Sequence, residues 1–289
     1  MRAAQQEIRV RSGTRRVWAS VSLLIVGSLA GAAAAKGRTP WQTVRTPAPG
    51  PARAIGEYSS GCLQGARELP VRGDGYRVVR PERLRHFGHP ALVEFVEALG
   101  REVSAAELEP LRVGDLSQPR GGRAPGAHAS HQTGLDADLG YGAGGGGSVV
   151  DAGRNRIQPK LARRVRTLLR LAASDARVSR VFVNPRIKAD LCANTREERA
   201  WLEKIRPWYG HDAHFHVRLL CPADSSECKP QDPVPPGDGC GEDLDWWISD
   251  QYAADRAQAR STYQSNVASD APAPPQCDAL ITPVESGQR

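Results

Sequence analysis

Apolar positions along the chain recur with two different periods, and each predicts an element. In "HFHVRLLC" (214–221), Phe215, Val217 and Leu219 alternate with His214 and His216, the period of a half-buried strand. "LDADLGY" (135–141) alternates in the same way, with Leu135, Ala137 and Leu139 against Asp136 and Asp138. "YRVVR" (76–80) and "VSRVFVN" (178–184) are short β-branched runs that also read as strands. "LRVGDLS" (111–117) reads as a strand running into the glycine-rich loop "QPRGGRAPGA". The helical period appears in "HPALVEFVEALG" (89–100), where Leu92, Val93, Val96 and Leu99 share a face and Gly100 offers a stop. It returns in "PKLARRVRTLLRLAASD" (159–175), with Leu161, Val165, Leu168, Leu169 and Ala172 on one stripe and the arginines on a solvated face. Asn184-Pro185 opens a short helix. Thr195 and Glu198 have the spacing of a capping box ahead of "RAWLEKI", a further predicted helix.

Composition then sets the boundaries. "VWASVSLLIVGSLAGAAAA" follows Arg15-Arg16 and carries no charge, and Ala33-Ala34-Ala35 precedes Lys36. Residues 1–35 therefore read as a secretory signal peptide, too short in its apolar part to span a bilayer. No later stretch is apolar enough to cross one. Residues 36–57 are Pro-rich and aperiodic, a flexible lead-in. A compact body is predicted from Tyr58 to Trp247, and 248–289 reads as an extended tail. The formal charge of +7 does not point to nucleic acid: residues beyond 35 hold 34 basic and 31 acidic side chains, too even a balance for a basic binding face. The six cysteines behind a signal peptide suggest disulfides. Cys221 and Cys228 bracket only "PADSSE", which favours a local bridge, and the other pairings are open on spacing alone.

The chemistry concentrates in two segments. "HASHQTGLDADLG" (128–140) and "YGHDAHFHV" (209–217) hold five of the seven histidines. His86 and His89, outside them, read as structural. On the second strand His214 and His216 share a face. On the first segment Asp138 follows His131 by seven residues, which suits a loop leading into a strand. His131, Asp138 and His216 would supply three ligands to a zinc ion and leave a fourth position for water, the mark of a catalytic site. Ser130 lies in no G-x-S-x-G or S-x-x-K context, so an acylated serine is not expected.

Five stretches, "GHPALVEFVEAL", "GDLSQPRGGRAPGAHASHQTGLDADL", "VFVNPRIKADLC", "RPWYGHDAHFHVRLLCPADSSEC" and "PPGDGCGEDLDWW", resemble the penicillin-insensitive murein endopeptidase family. That family is related to lysostaphin-type enzymes and D-Ala-D-Ala carboxypeptidases through H-x6-D and a later H-x-H. The resemblance, with the mix of strands and helices, implies an α+β fold: a small, largely antiparallel sheet carrying the zinc site, surrounded by helices and disulfide-tied loops. It implies a periplasmic zinc amidase that cuts the D-alanyl–meso-diaminopimelyl cross-link of peptidoglycan, with neither nucleic acid nor a stable membrane span involved and the oligomeric state left open.

The same resemblance makes His131, Asp138 and His216 the ligands and His214 the general base or acid. His211 becomes an oxyanion-stabilising or substrate-positioning group. His128 is placed beside the site as a second-line or additional ligand, and Asp136, on the strand face of Asp138, as a residue that orients a ligand histidine. It implies the pairs Cys62–Cys277, Cys192–Cys240 and Cys221–Cys228. Such an enzyme acylates no side chain, which accounts for insensitivity to penicillin. The chain departs from the family pattern at "GYGAGGGGSVVDAGRN" (140–155), where a longer segment is shortened; Asp151 remains, but no histidine lies between His131 and His211, which argues against a second metal. Two other readings compete: a zinc D,D-carboxypeptidase or dipeptidase trimming stem peptides, and a non-catalytic cell-wall-binding protein. A binding module would have no need of the non-ligand His214.

Overall fold

The computed structural model describes residues 40–124, 129–142, 146–249 and 272–281. The predicted signal peptide and His128 lie outside them. Among the described residues thirteen strands are formed: β1 (Arg53–Glu57), β2 (Ser60–Gln64), β3 (Arg67–Glu68), β4 (Arg72–Gly73), β5 (Tyr76–Val78), β6 (Phe87–Gly88), β7 (Leu111–Val113), β8 (Asp136–Gly140), β9 (Val150–Asp151), β10 (Arg156–Ile157), β11 (Val178–Val183), β12 (Ile205–Pro207) and β13 (His214–Leu219). The helices are α1 (Pro40–Thr43), α2 (Pro90–Ala105), α3 (Pro159–Ser174), α4 (Pro185–Asn194) and α5 (Glu242–Ile248), with a short turn of helix at Asp278–Ile281.

Seven strands form one sheet in the order β12-β11-β13-β8-β7-β5-β4. Its central pairs, β11–β13, β13–β8 and β8–β7, are antiparallel, while β12 and β5 join in parallel. The fold is α+β. Leu135, Ala137 and Leu139 pack with Phe215, Val217 and Leu219 and with the apolar stripes of α2 and α3 in one buried core. Burying these alternate positions turns Asp136, Asp138 and His216 to the other face of the same strands, where they too are buried. All three disulfides implied by the family resemblance are formed: Cys62–Cys277, Cys192–Cys240 and Cys221–Cys228.

Several expectations need correction. The lead-in 36–57 contains α1, whose Trp41 is buried, and all of β1. Trp41 lies where a Cβ on Gly122 would fall only 2.0 Å from its ring, so an aromatic anchor and a strand pairing organise a stretch with no periodicity of its own. Helix α2 runs through Gly100 to Ala105. Gly100 is a close-approach residue: a Cβ there would stand 2.5 Å from the carbonyl oxygen of Asp74. The arginines of α3 are not uniformly solvated. Arg164 is buried, and its Nε donates to the Tyr141 carbonyl at 2.6 Å while Nη1 donates to that of Glu109 at 2.8 Å.

The capping box does not form either. Thr195 closes α4, Glu198 takes a left-handed conformation (φ 50°) without a side-chain cap, and Arg199–Lys204 is a 3-10 turn. Arg199 satisfies the local carbonyls of Cys192 and Thr195 instead. Beyond α5, the described part of the tail is held by Cys277, by Ser60 Oγ donating to the Pro272 carbonyl at 2.9 Å, and by Arg120 Nη1 donating to that of Leu280 at 2.7 Å.

Candidate metal centre

Strands β8 and β13 pair so that His216 lies opposite Asp138, Arg218 opposite Asp136 and His214 opposite Gly140. Directly opposed residues of an antiparallel pair share a face, so the register alone brings imidazole and carboxylate together. His216 Nδ1 lies 3.1 Å from Asp138 Oδ1, and its Nε2 lies 2.8 Å from Asp136 Oδ1. His131 enters from the loop before β8 in a left-handed conformation (φ 70°), and its backbone N–H donates to Asp136 Oδ2 at 3.1 Å. Its Nε2 is 3.4 Å from Asp138 Oδ1. Gln132 fixes this loop by donating from Nε2 to the carbonyls of Ser59 (2.6 Å) and Ala129 (2.8 Å).

The ligand atoms of His131, Asp138 and His216 all fall within 4.8 Å of one another, and all three residues are buried. Two imidazole nitrogens and one carboxylate oxygen form a donor set suited to a divalent ion such as zinc, with three protein ligands leaving a place for water. The surroundings also keep both carboxylates ionised. Burial opposes ionisation of Asp138, but His131 and then His216 outweigh it and hold the carboxyl well below its usual range. Burial likewise opposes charge on His131, yet Asp138 overcomes it and lifts the imidazole to about 9. At Asp136 burial is outweighed by Arg218, then His216 and His131, so it too stays ionised. The residues present therefore fit a metal ion.

Two further imidazoles flank the group. His214 Nε2 is 3.7 Å from Asp138 Oδ1, and this side chain remains a third exposed. The His211 ring stands 5.2 Å from that of His214 and 6.1 Å from that of His216. His211 has φ 52°. Its loop is tied to the start of α4, where Asn184 N donates to the His211 carbonyl at 3.0 Å and Asn184 Nδ2 to that of Gly210 at 3.1 Å.

His211 Nδ1 lies 2.6 Å from the Tyr209 carbonyl oxygen, which can only accept, so Nδ1 carries the hydrogen. Burial, with His216 and His214 close by, pushes this imidazole down to about 3. Neutral His211 consequently presents a lone pair at Nε2. The expectation that it stabilises an oxyanion by donating a hydrogen bond does not suit this tautomer; it is built to accept one.

The structure also recruits residues that the sequence patterns did not single out. Arg218 Nε donates to Asp136 Oδ1 at 2.8 Å, and its guanidinium lies 4.2 Å over the Tyr58 ring. The alternation of "HFHVRL" already places Arg218 on the face of His216. Phe182 packs edge-on to His216 at 5.6 Å. Asp115 accepts the Asp138 backbone N–H at 2.9 Å through its carbonyl, while Arg85 Nη1 donates to its carboxylate at 2.6 Å; no local signal marks this clamp. His86 and His89 are structural: His86 pairs with Glu68, and His89 caps α2 by accepting from Ala91 N at 3.2 Å. Asp151 accepts from the backbone of Gly153 and Arg154 in the β9–β10 turn.

A buried cluster of two imidazoles and a carboxylate, with further imidazoles beside it, is a group that could hold a metal ion. Residues 54–282 match the family model described as penicillin-insensitive murein endopeptidase. The chain belongs to that family of peptidases, whose members cleave peptidoglycan. It is 47% identical over 224 residues to the penicillin-insensitive murein endopeptidase of Haemophilus influenzae, covering 72% of this chain and 78% of the relative. The protein of that name from Escherichia coli is 40% identical over 267 residues (88% and 95%), and that from Klebsiella pneumoniae 39% over 274 residues (90% and 96%).

Proposed function

We propose that the protein is a zinc-dependent DD-endopeptidase that hydrolyses the D-alanyl–meso-diaminopimelyl amide of cross-linked murein in the periplasm. The observation that carries the reading is the convergence of His131, Asp138 and His216 beside two non-ligand imidazoles. The names of the relatives supply the substrate class. Periplasmic location rests on the signal-like residues 1–35; among the described residues no helix is long and apolar enough to cross a membrane.

A zinc ion held by His131, Asp138 and His216 would supply Lewis acidity, polarising the amide carbonyl and acidifying a water. Asp136 fixes the orientation of His216 by accepting from its Nε2. His214, the more exposed imidazole, takes the proton of the attacking water and delivers it to the departing amine. His211, its Nδ1–H tied to Tyr209, orients that water by accepting a hydrogen bond at Nε2. No side chain is acylated, so a β-lactam finds no nucleophile to trap.

The test is digestion of purified cross-linked murein dimers by the mature protein, with and without a chelator, resolved by mass. Conversion of dimers to intact monomers, abolished by chelation and restored by zinc, is the expected result. Release of terminal D-alanine alone would replace this reading with a carboxypeptidase. Bound zinc without cleavage of either bond would replace it with a binding role.

A further inference from the structure

The loop that carries His211 has two sides. His211 faces the imidazole cluster, while its neighbours Gly210 and Asp212 line a separate groove of about 430 Å³ together with Asn155, Asn184, Arg186 and Trp247. An aromatic run connects the two. Phe182 lies 5.6 Å from the His216 ring and 5.7 Å from Trp208; Trp208 lies 6.0 Å from Trp247, which in turn lies 5.1 Å from Trp246. Trp208 and Trp246 are 42% and 43% exposed. Trp247, half-buried, is the ring of this run that lines the groove, and Trp208 and Trp246 pack beside it.

The lining identifies the ligand class. One guanidinium and one carboxylate balance each other, which disfavours a polyanion or a basic peptide. An indole wall offers a flat apolar face to the C–H side of a pyranose. The Asn155 carboxamide, the Asp212 carboxylate and the Arg186 guanidinium match ring hydroxyls and an acetamido substituent, while the Asn184 carboxamide is engaged by Arg186 N and the Gly210 carbonyl. Cross-linked peptides of murein hang from a strand of such sugars, so a sugar must pass close to any site that cuts them.

We propose that this groove is a subsite for an N-acetylated aminosugar of the glycan strand, with Trp247 as its stacking wall. The proposal rests on the murein endopeptidase reading above.

The test compares kcat/KM of the zinc-loaded enzyme on a disaccharide-bearing cross-linked dimer and on the same dimer stripped of its sugars by an amidase. The wild type is expected to prefer the sugar-bearing dimer by about tenfold, and Trp247→Ala to lose most of that preference through KM. Trp247→Phe should restore much of it, because a planar ring is kept. Equal rates of the wild type on both dimers would overturn the proposal. So would a Trp247→Ala loss by the same factor on each.

Quenching of tryptophan fluorescence by an N-acetylglucosamine tetramer gives a readout that needs no catalysis. It should saturate with the wild type and weaken in Trp247→Ala. If the wild type cleaves neither dimer, the endopeptidase reading fails, and this titration still decides the groove: saturation keeps the sugar subsite, and its absence removes it. Should Trp247→Ala not fold, Asn155→Ala on the groove rim is expected to lower the same preference, and an unchanged preference would count against the subsite.

Discussion

Strand pair β8–β13 and helix α4 both bury charge, with different outcomes. At the strand pair, Asp136 and Asp138 are enclosed among His131, His216 and Arg218, and the imidazoles share one carboxylate oxygen at 3.1 and 3.4 Å. On α4, Lys188 is fully buried, its Nζ donating to the Leu202 carbonyl at 2.8 Å and to the Asp238 carbonyl. The lysine ties α4 to the loop that Cys192–Cys240 also anchors. It is surrounded by backbone acceptors and by two other cations, Arg206 and Arg199, and nothing about it converges on a shared point. The imidazole–carboxylate cluster does converge, its ligand atoms lying within 4.8 Å of one another, where one cation could meet them all. Burial of charge is common to both; convergence of donor atoms separates a reactive centre from a fastening.

Substitution at the shared point should give the largest effect. Asp138→Asn removes the carboxylate on which both imidazoles centre. We expect loss of bound metal by elemental analysis and a fall in murein cleavage beyond about a thousandfold, the scale of losing charge stabilisation in a transition state. Retained metal with near-normal cleavage would remove Asp138 from the ligand set. The raised His131 adds a pH signature. Below about 9 the metal-free site holds a proton on this imidazole, which metal must displace. Zinc affinity, read by chelator competition, should therefore climb as pH rises toward that value, and a flat profile would contradict the coupling.

His214→Ala comes next, because it removes proton transfer and leaves the three ligands in place. Metal content should stay at the wild-type level while kcat drops by roughly 10²–10⁴. A variant with normal turnover would remove His214 from the proton-transfer role.

Arg218→Met probes the charge balance without touching a ligand. It strips Asp136 of its guanidinium partner and leaves a buried carboxylate to His216 and the His131 backbone N–H. Breaking a buried pair in this way costs about 3–5 kcal/mol, readable as a lowered urea midpoint at pH 7. The double variant Arg218→Met/Asp136→Asn should regain part of that loss, since the uncompensated charge is gone. If the single variant unfolds within about 1 kcal/mol of wild type, the pair carries little of the site's rigidity.

These contrasts explain what could be read from the chain beforehand. β8 and β13 were legible because alternation is local, and the face of each histidine and aspartate followed from it. Their mutual register was not: pairing His216 with Asp138 joins positions 78 residues apart. His131 combines a left-handed conformation with a backbone bond to Asp136, and no spacing reveals either. Gly100 illustrates the same limit. A glycine at the end of an apolar helical stripe has the signature of a stop, yet its reason is the crossing of the Gly75 turn, whose added Cβ would lie 1.8 Å from the Gly100 carbonyl oxygen. Lys188 had no signal at all, since the carbonyls that hold it come from loops distant in sequence.

Lys188→Met should have the smallest effect, and its size changes with pH. Burial, then Arg206, outweighs the help of Asp238 and pushes this amine down to about 7. The unfolded chain keeps the proton up to the ordinary lysine value of about 10.4, so between these limits it binds more protons than the native state. Wild-type stability contributed by this group therefore rises with pH across that window, and the full penalty of a buried ammonium applies below about 7. Methionine removes the penalty but leaves the Leu202 and Asp238 carbonyls without their donor, a cost of about 1–3 kcal/mol. Below about 7 the gap of roughly 3.4 pH units outweighs the carbonyl cost, so at pH 6 the variant should unfold at the higher urea concentration. At pH 9 the unfolded chain still holds its proton, so roughly 1.4 pH units of the penalty persist and offset the carbonyl loss, and the two midpoints should lie close together. A difference between the two midpoints that stays constant from pH 6 to pH 9 would mean that Lys188 remains charged throughout, and the contrast with the strand-pair site would then rest on geometry alone.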